Sequence, residues 1–387
     1  MTPMRERINV LSLRNVVAFG GPDTTLLGWY RRIDRDRFDV SLATLENEGD
    51  ADRQLVAPLR ELGVRTSSVP YGRYKNVPGA LHRLCSIIRT DRIHILHTHD
   101  HRSDVLGYFA ARWTGVPVMS TIYVWFSEHS TGKVKYLEAL QRVFLRRFDG
   151  ITAISEATRR DTVERYGFPA DRVTTLLSGI DVERFSGPVD VAAVRASLGV
   201  GPDDRLMPYV ARLWPEKAHR YLLRALAIVL AEEPRAKLLV VGDGVLRGDL
   251  EQQARELGIA GNVVFTGIRR DVPDLLRVSE FLVHPSLAEG IALAIYEGMA
   301  AGLAVVGTSV DGTPEVVTHE RTGLLVPPKD VDALAAAMLR LLRDRELATR
   351  MGAAARELMA GDYSLSRATR RLEDYYRRLW RGRRGEA

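Results

Sequence analysis

The sequence predicts an α/β protein made of two doubly wound parallel-sheet domains. Three observations carry this reading. Short β-rich runs alternate with helical patterns along nearly the whole chain. Those runs are close to continuously apolar, the pattern of parallel strands covered on both faces. The alternation is interrupted once, after Phe185, by "SGPVDVAAVRASLGVGPDD", a stretch rich in small and turn residues.

Before the interruption, "INVLSL", "FDVSLATL", "IHILHTH", "VPVMSTIY" and "GITAIS" read as strands. Helical patterns at Leu55–Leu62, Val77–Arg89, Ser103–Trp113 and Val134–Phe148 fall among them. After it, "RLMPYVAR", "AKLLVVGDG", "NVVFTG", "EFLVHPS" and "LAVVGTS" repeat the scheme. The expected domains are 1–183 and 184–362, with a helix at 363–387 packing back on the first. In that helix Ala368, Leu372, Tyr376 and Leu379 share one face, which suits a brace. Doubly wound sheets bind ligands beyond the carboxyl ends of their strands, so the chemistry belongs in the loops after strands.

Composition narrows the classes. The chain has 387 residues, 45% of them apolar, enough for large cores. The only cysteine is Cys85, so no internal disulfide forms, and a reducing cytoplasm is the expected setting. No apolar run approaches the ~18 residues of a membrane span. "MTPMRERINVLSL" reads as a first strand rather than a signal peptide. The net charge is +6, and residues 363–387 hold eight arginines against Glu373, Asp374 and Glu386. A solvated amphipathic helix end accounts for that tail. Zinc-finger spacings and aromatic RNA-binding patterns are absent, so nucleic acid is not an expected partner. Membrane-surface contact stays open as a lesser reading.

Several motifs carry chemistry. "EGIALAIYEG" places Glu289 and Glu297 eight residues apart after a strand. On a helix that is ~12 Å, which suits two hydroxyl-rich groups joined by a diphosphate. Carboxylates accept hydrogen bonds from hydroxyls, and N–H groups at a helix start attract phosphate. Two glutamates on an ordinary helix is the plain alternative. "ARLWPEK" puts Arg212 at a strand end and Lys217 at a helix start, where two cations neutralise a diphosphate without metal. Gly20–Gly21, Gly242–Gly244 and "VDGTPEVV" also follow strands, and glycine lets backbone approach phosphate. "GDGVLRG" lacks the spacing of a dinucleotide loop. "ILHTHDH" sets His97, His99 and His101 at alternate positions, which on a strand resembles a metal site. No matching set of histidines and aspartates follows downstream, so no metal is expected. His97 suits a hydrogen-bonded core position, and His99 and Asp100 fall where the strand ends.

Taken together, these motifs resemble the family 4 retaining glycosyltransferases of GT-B architecture. "HPSLAEGIALAIYEGMAAGLAVVGT", "VVGDG", "GTPEVV" and "TGLLVPP" match its C-terminal half. "GGPDTTLL", "HTHDHRSDVLGYFAARWTGVPV", "ITAISEATRRDTVERYG" and "SGIDVERF" match its N-terminal half. The resemblance implies two Rossmann-like domains facing a central cleft, and hexosyl transfer from a nucleotide sugar with neither cofactor nor metal. It implies that Arg212 and Lys217 bind the donor diphosphate and that Glu297 holds the ribose. Glu289 would contact the donor sugar, with Gly290, Ile291, Ala292 and Leu293 presenting N–H groups. Gly20 and Gly21, with Gly242, would lie near phosphate. Glu289, Arg212 and Lys217 are the expected catalytic set. Three positions depart from the family pattern: Tyr123 stands where histidine is frequent, Ser178 opens "SGID", and Ile291 replaces a common phenylalanine.

The expected acceptor contacts are Asp23, His99, Asp100, Tyr123 and Glu128, with Asp104 and His129 nearby. Four carboxylates there suggest a small polar, even cationic, acceptor. An aminocyclitol intermediate of antibiotic biosynthesis is the leading reading, with a UDP-glucose-type donor. Transfer to a lipid-linked saccharide is the runner-up, supported by Lys133, Lys135, Arg142, Arg146 and Arg147. A nucleotide-sugar epimerase and a non-enzymatic sensor are the readings from other classes.

Overall fold

The computed structural model describes residues 7–16, 19–45, 53–71, 76–125, 132–290 and 292–385. The chain forms two compact units, Met1–Gly179 with Leu365–Ala387, and Ile180–Ser364. Residues 180–183 therefore belong with the second unit.

Unit 1 contains strands β1 (Ile8–Arg14), β2 (Phe38–Leu45), β3 (Arg65–Val69), β4 (Ile95–Thr98), β5 (Val118–Ile122), β6 (Gly150–Ala153) and β7 (Val173–Thr175). They form one parallel sheet in the order β3-β2-β1-β4-β5-β6-β7. Its helices are α1 (Gly21–Arg32), α2 (Arg53–Glu61), α3 (Val77–Thr90), α4 (His101–Thr114), α5 (Gly132–Leu145) and α6 (Glu156–Arg160). The order reverses at β1/β4, so the ends of those strands make the switch point where such sheets bind ligands. Two apolar clusters cover the sheet. One joins β1, β4 and β5 to α3 and α4 through Leu11, Leu84, Leu96 and Leu106. The other joins the opposite face to α1 through Val10, Trp29 and Tyr30.

Unit 2 contains β8 (Arg205–Val210), β9 (Ala236–Val241), β10 (Val263–Gly267), β11 (Leu282–His284), β12 (Val305–Thr308) and β13 (Gly323–Val326). They form two three-stranded parallel sheets, β10-β9-β8 and β11-β12-β13. The sheets adjoin where Glu280 N donates to Leu206 O (2.8 Å). Its helices are α7 (Val191–Leu198), α8 (His219–Leu230), α9 (Arg247–Glu256), α10 (Val272–Arg277), α11 (Leu293–Ala300), α12 (Thr313–Val316), α13 (Val331–Arg343) and α14 (Arg345–Ala360). The main core joins α8 and α13 to the strands through Leu222, Leu226, Leu238, Val283 and Met338.

The chain then returns to unit 1 as α15 (Leu365–Arg384). Ala368, Leu372 and Tyr376 are buried, while Leu379 is half-buried. The Tyr376 hydroxyl meets His97 Nδ1 (2.8 Å), and Glu373 accepts from Asp34 N (2.8 Å). Among the described residues, no helix is long and apolar enough to cross a membrane.

Candidate active site

In unit 2 the chain leaves β8 at Val210 and makes a short 3-10 turn, Pro215–Lys217. Ala218 then takes a left-handed conformation (φ +58°) although it is only 4% exposed, and α8 starts behind it. Such a residue costs roughly 1–3 kcal/mol and persists only where its surroundings enforce it. Here the turn delivers Lys217 to the loop after β11.

Lys217 Nζ forms an ion pair with Glu289 Oε1, both ends nearly buried. The same oxygen accepts from Ser286 Oγ (2.9 Å) and lies 3.0 Å from His284 Nε2. The backbone is fixed as well. Glu289 N donates to Asp311 (2.7 Å), Leu287 N donates to Glu216 O (2.8 Å), and the Tyr209 hydroxyl donates to Lys217 O. Burial works against the Glu289 carboxylate, but Lys217 and His284 outweigh it and hold the group well below the usual carboxylate range. Burial lowers His284, with Glu289 opposing, so its neutral ring donates from Nε2. These partners all converge on Oε1. Oε2 has no partner among the described residues and is the oxygen left for a ligand.

Arg212 is exposed, 3.7 Å from Glu216 and over the ring of Trp214. Glu297 sits half-buried on α11, and burial pushes its carboxyl up to about 7 against a smaller opposing effect of Arg184. Ala292 precedes α11 and no side chain caps it, which leaves the first-turn N–H groups of Leu293 and Ala294 for a ligand, while Ile295 N donates to Ala292 O (2.9 Å). Gly290 leads into this turn, and Ile291 lies outside the described residues. Gly242 also has a steric reason to be glycine. At φ +136°, an added Cβ would lie 2.1 Å from Ala211 O, and one at Gly244 would lie 2.6 Å from Leu213 O. Glycine is required there because the β9 loop presses on the backbone that carries Arg212.

In unit 1, Gly20 and Gly21 open α1. Asp23 is fully buried; it accepts from Gly20 N (3.0 Å) and pairs with Arg14 Nε (2.9 Å). Asp100 caps α4, accepting from Arg102 N and Ser103 N (both 3.0 Å), and its other oxygen takes Asn15 N (2.8 Å) and Arg14 (3.5 Å). Asp104 is buried against Thr98 and Gln141, and burial pushes it up to about 7. Glu128 and His129 lie outside the described residues. Asp23 and Asp100 thus both direct oxygens to partners inside unit 1, with Arg14 between them.

The histidines are likewise absorbed. His97 bonds Tyr376 and Thr121 (2.7 Å) and is wholly buried. His99 is also buried, so its expected direct acceptor contact is replaced by an indirect role. Its Nε2 meets Ser12 Oγ (3.0 Å) and its Nδ1 meets the Tyr123 hydroxyl (3.2 Å). Ser12 in turn meets the Tyr30 hydroxyl (2.7 Å). Burial, with His97 and Arg14 adding to it, keeps the His99 ring neutral. The buried Tyr30 hydroxyl needs an acceptor. Ser12 is 2.7 Å away, and Ser41 O is at 3.5 Å. Tyr30 reaches both Ser12 Oγ and the Ser41 carbonyl, so a continuous chain of hydroxyls and the neutral His99 ring runs from Ser41 O to the half-buried Tyr123 hydroxyl, and either proton order satisfies it.

Arg14, Tyr209, His284, Ser286 and Asp311 were not singled out from the sequence. Arg14 has one signal, a cation closing an apolar strand. His219 also went unmarked. It is buried at the start of α8, with no hydrogen-bond partner on either ring nitrogen among the described residues.

Comparison with known proteins places the chain. The family described as Glycosyltransferase Family 4 matches residues 19–184, and that described as Glycosyl transferases group 1 matches residues 190–358. A D-inositol 3-phosphate glycosyltransferase of Thermobispora bispora is 30% identical over 92% of this chain and 89% of its own. The UDP-Gal:alpha-D-GlcNAc-diphosphoundecaprenol alpha-1,3-galactosyltransferase of Escherichia coli is 24% identical over 97% and 98%. HepE of Anabaena, solved with UDP-glucose, superposes with a TM-score of 0.85 at 20% identity, over 96% and 100%. The chain belongs to the family 4 glycosyltransferases. Its fold is the two-Rossmann-domain architecture of that group.

Proposed function

We propose that the chain moves a hexosyl group from a UDP-glucose-type donor to a hydroxyl of a small polar acceptor, with retention and without metal. The observation that carries this is the node at Glu289, where Lys217, His284 and Ser286 fix one carboxylate oxygen and leave the other for a ligand. Unit 2 would hold the donor. Lys217 and Arg212, with the N–H groups opening α11, would neutralise the departing diphosphate. Glu297 would take the ribose hydroxyls. Glu289 stays ionised, so it orients the sugar and does not protonate the leaving group. The bond from the anomeric carbon to phosphate breaks while the bond to the acceptor oxygen forms on the same face, and the leaving phosphate takes the acceptor's proton. A glycosidase-like carboxylate pair has no part in this.

Uridine is favoured by the donor printed in the Escherichia coli relative's name and by HepE, which was solved with UDP-glucose. For the acceptor, Asp23 and Asp100 of unit 1 are both engaged by Arg14, which weakens the case for free carboxylates meeting an aminated antibiotic intermediate. A polyol acceptor is favoured by the Thermobispora bispora relative, which is named for a cyclitol phosphate. The test is mass spectrometry of products from UDP-sugars against inositol phosphate, inositol and aminocyclitols, with Glu289→Gln and Lys217→Ala as controls. Each substitution should lower kcat by about 100-fold or more. Epimerised sugar in the absence of acceptor, an inverted product, or activity abolished by chelator would overturn the reading. A second reading, transfer to a lipid-linked saccharide, is favoured by the exposed aromatic and basic residues of α4 and α5.

A further inference from the structure

A cleft of about 500 Å³ opens in unit 1 between the last turns of α15 and the chain entering β5, β6 and β7. It lies at the amino ends of these strands, on the opposite edge of the sheet from the switch point. Neither the donor site nor the acceptor wall uses it. The Tyr375 ring forms part of its floor. An added Cβ at Gly150 would lie 2.4 Å from the Tyr375 hydroxyl, so glycine at the start of β6 lets this ring seat against the strand.

Three arginines border the cleft: Arg172, Arg378 and Arg383. Arg378 holds its guanidinium over the Tyr375 ring, 5.6 Å from the centroid. Arg172 donates to Arg146 O (3.0 Å) and to Phe148 O, and Arg383 donates to Gly115 O (3.3 Å). Those acceptors are neutral carbonyls. Among the described residues none of the three arginines forms an ion pair with a carboxylate. Each guanidinium also carries more N–H donors than these bonds use. Cations in a last helical turn suit the helix dipole, which accounts for Arg383 but not for Arg172, which lies off the helix. Asp149 and Asp171 line the same cleft, and Asp149 accepts from Val118 N (2.9 Å). These carboxylates disfavour a bare polyanion, but they accept hydrogen bonds from hydroxyls.

We propose that this cleft binds a phosphorylated sugar as a ligand distinct from both donor and acceptor. The arginines take the phosphate, whose oxygens match a guanidinium fork. Asp149 and Asp171 accept sugar hydroxyls, and Tyr375 receives an apolar face of the sugar. The volume suits one small molecule. Arg378 and Arg383 stand on α15, whereas Arg172 stands at the start of β7. The ligand therefore ties the helix to the sheet and stabilises the folded chain.

The test is calorimetric titration of the full chain with glucose 6-phosphate, with and without saturating UDP. Binding should be the same in both and should weaken as salt rises. Inorganic phosphate should bind at least about tenfold more weakly, because it lacks the hydroxyls. Unphosphorylated glucose should not bind. Arg378→Ala and Arg383→Ala should each weaken glucose 6-phosphate at least about fivefold. Arg370→Ala removes an equal charge from an exposed position of α15 that does not border the cleft, and it should leave binding unchanged. Without ligand, each variant should melt with the wild type, which guards against misfolding. With ligand, the wild-type melting temperature should rise and that of the Arg378→Ala, Arg383→Ala double variant should not. No heat of binding, phosphate binding as tightly as glucose 6-phosphate, loss of binding in UDP, or equal weakening by Arg370→Ala would overturn the proposal.

Discussion

Glu297 is the residue whose protonation matters most near neutrality. Its folded value is pushed up to about 7, against ~4.3 for an unperturbed glutamate. For an acid raised on folding, the unfolded state releases its proton first as pH rises. The group therefore costs stability between those two values, and the cost is complete above the folded one. Glu297→Gln should flatten this fall between about pH 4 and 8, read as melting temperature against pH. Ribose hydroxyls favour the ionised carboxylate, so UDP binding should also release a proton in calorimetry near pH 7. An unchanged pH slope in the variant would remove this account. Tyr123 offers a second test at the same scale. Its half-buried hydroxyl ends a hydrogen-bonded chain through His99 and Ser12, and Tyr123→Phe should cost roughly three- to tenfold in kcat/KM. Ser12→Ala breaks this chain between Tyr30 and His99 and should cost activity only while Tyr123 keeps its hydroxyl. Equal cost of Ser12→Ala in both backgrounds would mean that Ser12 acts through packing alone.

Elements explain what was legible in the sequence and what was not. The long apolar strands and amphipathic helices announce themselves, because burial on two faces or along one stripe writes a period into the chain. The strands missed were β3, β7 and β13, and each lies at a sheet edge. "RTSSV" and "VTT" are polar because an edge strand meets solvent. The site was half legible. Glu289, Lys217, Arg212 and Glu297 stand in ordered motifs. The occupancy of Asp23 and Asp100 by Arg14 and by backbone N–H groups is a tertiary fact. A carboxylate at a strand end looks the same in sequence whether it faces a ligand or caps a helix. The turn before α8 carries its own prediction. Ala218 is left-handed at φ +58°, where glycine sits without steric cost. Ala218→Gly should leave stability level or raise it by up to about 1 kcal/mol, after its lost methyl burial is counted. A loss of several kcal/mol in denaturant unfolding would show that the methyl contact dominates.

At the scale of the whole molecule, α15 is the feature that ties sequence order to stability. It follows unit 2 in the chain yet completes the core of unit 1, where Leu372 and Tyr376 are fully buried beside Phe38 and Trp29. Tyr376 also supplies one of the two partners of buried His97. Removing α15 therefore opens an apolar face and leaves an imidazole nitrogen unsatisfied in unit 1 alone. Unit 2 keeps its own core of α8, α13 and the strands. A chain ending at Ser364 should consequently show an early calorimetric transition from unit 1 and a later one from unit 2. With the proposed donor site in unit 2, UDP at about 100 times its Kd should stabilise the later transition by about 2.7 kcal/mol and leave the earlier one in place. One cooperative transition at the wild-type temperature would show that α15 is dispensable. A UDP response confined to the early transition would put the nucleotide site in the wrong unit.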